Sequence, residues 1–592
     1  MPSDSRVPAG PSDPAGGNPT AGAAGGPTDR PTGLTPVPLA EVATGLDPAL
    51  AVRLEPGSVD HPADEVALSG AAVRAADCRP GDLFGALPGA RVHGAEFAGQ
   101  AVAAGAVAVL TDAAGRELVR QQGLSVPVLL TEQPRRALGP ASAAIYHHPS
   151  ERLQIIGVTG TSGKTTTCFL LEAALRAQGL TTGLLGTVMT RITEPDGTST
   201  ELPSAFTTPE APDLQALLAV MCQRGVQAVA MEVSSHALQL GRVGGTRYRV
   251  GAFANLSQDH LDFHPTMEDY YLAKASLFDG QPAAAGGTPL GAGVSNIDDE
   301  YGARLAAEHP SPGGRPMVTI SPDGAAADWR LEALTADATG RQQLQIAGPD
   351  GLALQTELGL PGPFNAGNAL LALACVHAAG YTDPSAIQAA AQALSAVQVP
   401  GRMQRVDAGQ DFLAVVDYAH KPAAVRAVLT AVRASVPGRV IVALGAGGDR
   451  DAGKRPLMGQ AAVELADVVI VTDDNPRSEV PHEIRAAVLE GAHQLGEDEL
   501  GEARLRADTI LEIGDRAEAI AMAVALAGHG DAVVIAGKGH ETGQEIDGVK
   551  HPFSDLRQLE SALGARSGAG GVGSAAESAG KGESVGKGEA PQ

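Results

Sequence analysis

The sequence predicts an α/β protein of three domains, the middle one built around a phosphate loop. Three observations carry that prediction. The stretch "VTGTSGKTTT", Val158 to Thr167, stands between an apolar run and a helix-like run, "CFLLEAALRAQG". This is the order strand, glycine loop, helix that aims backbone N–H groups at an anion. The region from about 398 to 565 alternates apolar runs, "FLAVV", "RVIVAL", "VVIVT" and "AVVIA", with helix-like segments, the pattern of parallel βαβ units. A length of 592 residues suits several domains rather than one core, with three as the first count.

Taken in chain order, residues 1–35 and 566–592 are Gly, Pro, Ala and Ser with almost no large apolar groups. Such segments cannot offset their ordering entropy and are expected to be disordered tails. Residues 36–150 read as a small mixed α/β domain with one clear signature, "RPGDLFGALPGARVHGAEF" from Arg79. Residues 151–397 hold the phosphate loop and "VQAVAMEVSSHAL". In 398–565 each apolar run ends in a polar cluster: "DYAHKP" from Asp417, "GAGGDRDAGKRP" from Gly445, "TDDNPRSE" from Thr472 and "GKGHE" from Gly537. Ligands of open parallel sheets bind outside the carboxyl ends of the strands, so these clusters are expected to converge on one crevice.

A net charge of −25 and a pI near 5.0 argue against a broad grip on nucleic acid or anionic membrane. Cys78, Cys168, Cys222 and Cys375 are far apart and form neither a paired framework nor a zinc spacing; they read as small buried hydrophobes in a reducing compartment. No apolar stretch is long enough to span a bilayer, and the N-terminus lacks the order of a signal peptide. A cytoplasmic protein is expected, with no nucleic-acid partner and no membrane insertion.

The loop departs from the strict phosphate-loop pattern, because Val158 stands where a first glycine is wanted. Gly160 must therefore turn a shorter loop, Gly160, Thr161, Ser162 and Gly163, ahead of Lys164, Thr165 and Thr166, and the reading is a triphosphate site. "AVAMEVSSHAL" puts Glu232 just past a buried strand, and "AFANLSQDHLDFH" puts Asp259 and His260 past another. A carboxylate and an imidazole beside a phosphate loop make a plausible magnesium or manganese site.

"TGTSGKTT", "TTPE", "MEVSSHAL", "NLSQDHLDFH", "YLAKASLF", "NIDDEYG", "GPFNAGN", "GRMQRV", "DYAHKP", "GGDRDAGKRP", "DNPR" and "GKGHE" together resemble, in order, the motif series of the Mur ligases of peptidoglycan synthesis. The resemblance covers roughly 66–557. It implies a uridine-nucleotide domain, a central ATPase domain and a C-terminal Rossmann-like domain for the amino acid. It also implies an ATP-dependent ligase that adds diaminopimelate to UDP-N-acetylmuramoyl-L-alanyl-D-glutamate through an acyl phosphate.

By the same resemblance Lys164, Glu232, His260 and Lys274 are catalytic. Two Mg²⁺ ions are held by Thr165, Glu232, His260 and Lys274, the last as a carbamate. Asn365, Asn368, Arg402, Asp417, His420 and Lys421 join the loop in binding ATP. Val73, Ala75, Ala90, Arg91, Val92, Thr207, Thr208, Ser234 and Arg242 take the muramoyl dipeptide. Arg450, Asp474, Asn475, Pro476, Arg477, Gly537 and Glu541 take diaminopimelate, whose second carboxylate a planar guanidinium can receive bidentately. Many members carry a Ser-Arg pair where this chain has Ala75 and Ala76, so Val73 and Ala75 offer only packing or backbone groups there. Two rival readings are a folylpolyglutamate synthetase-like ligase, expected to lack the first domain and "DNPR", and a catalytically idle nucleotide-binding scaffold, expected to lose Lys164, Glu232, His260 or Lys274.

Overall fold

The computed structural model describes residues 30–57, 65–203, 207–261, 263–281, 283–311, 313–337, 340–494 and 506–578. The chain divides into two compact units. The first runs to Leu334, with Leu344–Glu357 and Phe364–Val397; the second is built mainly from 398 onward, with Thr335–Gln343 and Leu358–Pro363.

Two large sheets and a short two-stranded one, Val37–Pro38 with Ala67–Leu68, build the first unit. A five-stranded mixed sheet has the order Arg53–Glu55, Val128–Leu130, Ala106–Thr111, Asp82–Gly85, Gly70–Ala72, parallel except at the first pair. Helix Pro134–Ile145 covers one face, burying Leu138 and Ile145 with Leu39, Leu83 and Leu110. Its Gly139 lies so close to Gly244 that a Cβ there would stand 2.3 Å from the Gly244 carbonyl oxygen. Only glycine permits that approach.

The larger sheet has eleven strands. Its parallel centre has the order Thr182–Leu185, Ala228–Glu232, Gln154–Thr159, Tyr248–Phe253, Leu290–Asn296. Strand Gln154–Thr159 comes first in the chain yet lies between later strands, so the order reverses beside it. The loop that follows opens at this switch point, where open α/β sheets bind ligands.

The second unit carries a six-stranded sheet in the order Gln404–Arg405, Leu413–Asp417, Ala532–Ala536, Val440–Leu444, Val468–Val471, Thr509–Glu512. All pairs are parallel except the first. The four apolar runs are its inner strands, fully buried because helices cover both faces.

Most of the expected tails, 1–29 and 579–592, lies outside the described residues. Residues 30–35 correct the expected first boundary. Arg30 bonds both oxygens of the buried Asp82 at 2.6 and 2.8 Å and reaches the carbonyls of Ala71 and Asp77. At the other end, helix Asp555–Ser578 runs on past 565. Leu559 and Leu563 anchor its first turns in the core, and each further residue then adds one backbone bond to a helix already nucleated.

Arg516 and Asp555 form an ion pair with neither side chain exposed to solvent, at 0 % each. Arg516 also bonds the carbonyls of Asp473 and Ala536 at two strand ends. Asp555→Ala leaves a buried guanidinium without its counter-charge and should destabilise the second unit by about 3–5 kcal/mol. Urea unfolding measures this, and a loss below about 1 kcal/mol would contradict a structural role for the pair.

Candidate functional site

The phosphate loop is shaped by its glycines and by one asparagine. Gly163 caps helix Lys164–Arg176 with φ of 84°, a left-handed conformation that side chains resist. Asn255 receives the Ser162 N–H on its side-chain oxygen at 2.9 Å and the Thr161 N–H on its carbonyl at 3.0 Å. Its amide nitrogen returns a bond to the Ser162 carbonyl. Asn255 therefore holds the loop open toward the helix N-terminus. It belongs to the "NLSQDHLDFH" stretch, but no role follows for it from sequence.

Lys164 and Lys274 both donate to the Gly160 carbonyl, each at 2.8 Å, and Lys164 also reaches Thr161 O at 3.0 Å. Lys274 sits on helix Met267–Ala275 with its amine 4.7 Å from the centre of the Tyr270 ring. It is 1 % exposed. Burial pushes its amine well below the usual lysine range, the Lys164 charge pushes it further, and Asp259 opposes both. Desolvation and a neighbouring cation thus both disfavour its charged form, unlike that of an exposed helix lysine.

On the other side of the loop, register pairs Glu232 with Val158, which puts the Glu232 carboxylate at the loop's edge. It accepts bonds from Thr165 Oγ1 at 3.0 Å, Thr187 N at 2.8 Å and Thr187 Oγ1 at 3.2 Å. Thr187, which no motif marks, also touches Thr207 Oγ1 at 3.0 Å. Thr208 donates to the Glu232 carbonyl, and Ser234 caps helix Ser235–Gln239. Arg242 pairs with Glu210 at 2.9 Å.

Hydroxyl and carboxylate oxygens at Thr165 and Glu232 suit a hard divalent cation. Among the described residues no group of three or more His, Cys, Asp or Glu could hold a metal ion. His260 lies in the loop after strand Tyr248–Phe253 with φ of 52°. Its imidazole is 3.5 Å from Asp259 and its ring centroid 6.1 Å from that of Tyr270, the ring that Lys274 covers. As an ammonium Lys274 does not fit as a metal ligand.

Asn365 and Asn368 open helix Pro363–Ala378, are buried, and bond each other at 3.0 Å. Asn368 accepts from Thr167 at 3.3 Å and so touches the phosphate-loop helix. Val73 and Ala75 follow strand Gly70–Ala72, and Ala90, Arg91 and Val92 form an exposed loop after strand Asp82–Gly85. These five residues share the five-stranded sheet rather than the phosphate-loop neighbourhood.

In the second unit the polar clusters do converge at the strand ends. Asn475 is buried; its oxygen accepts from Lys538 Nζ at 2.8 Å and Glu545 N at 3.0 Å, and its nitrogen donates to Glu541 at 2.8 Å. Gly537 has φ of 122°, and a Cβ there would meet Asp474 at 2.5 Å. Arg477 has φ of 53°, donates to the Gly448 carbonyl at 2.5 Å and stands 3.4 Å from Glu545. Pro476 is buried beside it, and Arg450 is exposed. Asp417 is buried and accepts the N–H groups of Met403 and Ala419 at 2.7 and 2.8 Å, which shapes the turn carrying Arg402. Arg402 stacks over Tyr418 at 4.4 Å. His420 bonds the Tyr418 carbonyl and is held below the usual imidazole range by burial. Lys421 caps helix Pro422–Ser435.

Three family models match the chain in sequence: "Mur ligase family, catalytic domain" over residues 68–146, "Mur ligase middle domain" over 158–376, and "Mur ligase, glutamate ligase domain" over 401–539. A UDP-N-acetylmuramoyl-L-alanyl-D-glutamate–2,6-diaminopimelate ligase of Corynebacterium glutamicum is 51 % identical over 484 residues, 81 % of this chain and 89 % of the relative. The enzyme of the same name from Streptomyces avermitilis is 47 % identical over 540 residues, covering 90 % and 98 %. A solved structure of a ligase of that name superimposes with a TM-score of 0.62 at 31 % identity, covering 90 % of this chain and all of the other.

Gly163→Ala tests the loop. An alanine at this φ costs about 1–2 kcal/mol, and its Cβ would stand 2.4 Å from the Asn368 side-chain oxygen. Nucleoside triphosphate affinity, read by titration of a fluorescent analogue, should fall by roughly tenfold or more while circular dichroism stays unchanged. Wild-type affinity in this variant would remove the loop from the binding site.

Proposed function

The chain belongs to the Mur ligase family, and from that premise we propose that it is the ATP-dependent ligase that adds diaminopimelate to the D-glutamate γ-carboxylate of UDP-N-acetylmuramoyl-L-alanyl-D-glutamate, in peptidoglycan precursor synthesis. The observation that carries this reading is 47–51 % identity, across more than four-fifths of the chain, to ligases of that name. The first domain and the Asp474–Arg477 tetrapeptide disfavour a folylpolyglutamate synthetase. Retention of Lys164, Glu232, His260 and Lys274 disfavours an idle scaffold. We place the reaction in the cytoplasm, where ATP and uridine nucleotides are supplied.

The chemistry brings two anions, a carboxylate and the γ-phosphate of ATP, into contact. The carboxylate oxygen attacks phosphorus and ADP leaves. The amine of diaminopimelate then attacks the acyl phosphate carbon, loses a proton, and phosphate departs. Each stage builds negative charge near the loop, which Lys164 and the backbone N–H groups of the helix start are placed to stabilise. Thr165 and Glu232 would hold one Mg²⁺, and His260 with carbamylated Lys274 a second; the ions would screen the two anions from each other.

Lys274 supports its part of this reading through its depressed amine. A neutral Nζ adds to carbon dioxide, forming an N–C bond and releasing a proton, whereas an ammonium cannot. The resulting carbamate replaces a charge that would repel the cation. For the amino acid, Arg477 is our assignment for the distal carboxylate, with Asp474, Asn475 and Glu541 around its ammonium. Arg450 and Gly537 complete that group. Arg402, His420 and Lys421 are assigned to ATP, with Asp417 setting the Arg402 turn. Val73, Ala75, Ala90, Arg91, Val92, Thr207, Thr208, Ser234 and Arg242 are assigned to the nucleotide dipeptide.

Phosphate release with purified UDP-muramoyl dipeptide and a panel of amino acids tests the function; turnover should be greatest with diaminopimelate, and none with it would overturn the reading. Lys274→Ala should be nearly inactive and partly rescued by short carboxylates, and carbon-13 NMR in labelled bicarbonate should lose a carbamate signal present in wild type. Full activity of Lys274→Arg would contradict the carbamate. Arg477→Ala should raise KM for diaminopimelate, by at least roughly tenfold, with KM for ATP unchanged.

A further inference from the structure

Lys538 lies inside "GKGHE", between two residues assigned to the amino acid, and has no role in the reading above. Its side chain is 0 % exposed. Its ammonium donates to Asn475 Oδ1 at 2.8 Å and to Glu541 Oε2 at 3.0 Å, and stands 3.7 Å from Asp474 Oδ1. One buried cation thus touches all three side chains that surround the expected position of the substrate's far end. Arg516 lies near the same carboxylates, but its two bonds to Asp555 neutralise it. Among the described residues, Lys538 is in direct contact with both Asp474 and Glu541.

Its position has two consequences. The Lys538 bond fixes which end of the Asn475 amide faces the ammonium, so the other end donates to Glu541, and both side chains are held in one orientation. The charge also offsets part of the negative field of Asp474 and Glu541. Charges in such a buried cluster are weakly screened, so a change of one unit is felt strongly by a ligand placed against it.

Diaminopimelate and lysine differ at this end. The first presents an ammonium and a carboxylate, with no net charge; the second presents an ammonium alone. A pocket whose carboxylates are only partly offset attracts the lysine cation and repels the diaminopimelate carboxylate. Raising the positive charge under those carboxylates reverses both effects. Resting on the function proposed above, we propose that Lys538 is a specificity-determining positioning residue: it orients Asn475 and Glu541 and balances the pocket's charge so that an amino acid with a zwitterionic far end is preferred over one with a cationic end.

Glu545 gives an opposite-sign control. It is a half-exposed carboxylate 3.4 Å from the Arg477 guanidinium, so removing its charge makes the same pocket more positive without leaving a buried cation alone. The experiment compares wild type, Lys538→Met and Glu545→Gln. It measures kcat/KM for diaminopimelate and lysine, the Ki of lysine against diaminopimelate, KM for ATP and for UDP-muramoyl dipeptide, and the melting temperature.

Lys538→Met should lower the preference for diaminopimelate over lysine by about tenfold or more, through KM rather than kcat, with lysine binding no weaker than in wild type. Glu545→Gln should raise the preference severalfold. A purely structural Lys538 would weaken both amino acids alike, and that result, or a fall in preference in Glu545→Gln, overturns the proposal. Where Lys538→Met does not fold, the sign of the Glu545→Gln change decides. Wild type that fails to use diaminopimelate overturns the functional reading instead, so the two failures are distinguishable.

Discussion

Two lysine amines share the Gly160 carbonyl oxygen, and the central site is arranged around that crowding of positive charge. Two ammonium groups on one acceptor repel each other unless one gives up its proton or an anion joins them. Lys164 opens helix Lys164–Arg176, where an anion would meet the helix N-terminus. Lys274, buried beside the Tyr270 ring, is the one whose amine burial pushes well below the usual lysine range. Burial and a neighbouring cation act in the same direction on it, against its charged form. The sheet order serves the same end. Because the strands on either side of Gln154–Thr159 come later in the chain, Glu232 and the Asn255 loop arrive from opposite flanks, one bringing a carboxylate and the other the scaffold that holds the loop.

The second unit solves a comparable problem differently. Its strand ends collect Asp474 and Glu541, which would repel each other and destabilise the buried crevice if left alone. Lys538 bridges them directly, and Arg516, paired to Asp555, ties the adjoining carbonyls. Removing a buried cation of this kind is costly because its partners cannot recover solvent. The same arrangement also explains the left-handed φ of Arg477. Its backbone N–H bonds the Glu545 carbonyl and its own carbonyl accepts from Asp547, so two main-chain bonds hold the strained residue with its guanidinium beside Gly448 and Glu545.

The fold class, the phosphate loop and the four buried strands of the second unit were legible in the sequence because each rests on local signals. Glycine spacing before Gly-Lys-Thr, apolar runs of strand length and polar clusters at their ends need only neighbouring residues to be recognised. Lys164 and Glu232 in the first unit, and the residues of "DNPR" and "GKGHE" in the second, stand in such motifs, so their places at the strand ends of their own sheets followed from the parallel-sheet rule. The first boundary was misread because Arg30, in a segment of tail-like composition, is fixed by Asp82, a residue 52 positions away.

What only the tertiary structure decided is which side chains meet and what their surroundings do to them. A lysine on a helix reads the same in sequence whether exposed or buried; packing against Tyr270 and Gly160 is what desolvates the Lys274 amine and weakens its hold on a proton. Thr187 carries no motif, and the motif that holds Asn255 marks no role for it, yet one completes the bonds to Glu232 and the other shapes the loop. Asp417, expected at the nucleotide, directs both oxygens to backbone N–H groups, and Lys538 reaches Asn475, 63 positions away in the chain. Local pattern specifies which elements form and where their ends lie. Desolvation and contact between distant segments set charge and orientation, and these exist only once the chain has folded.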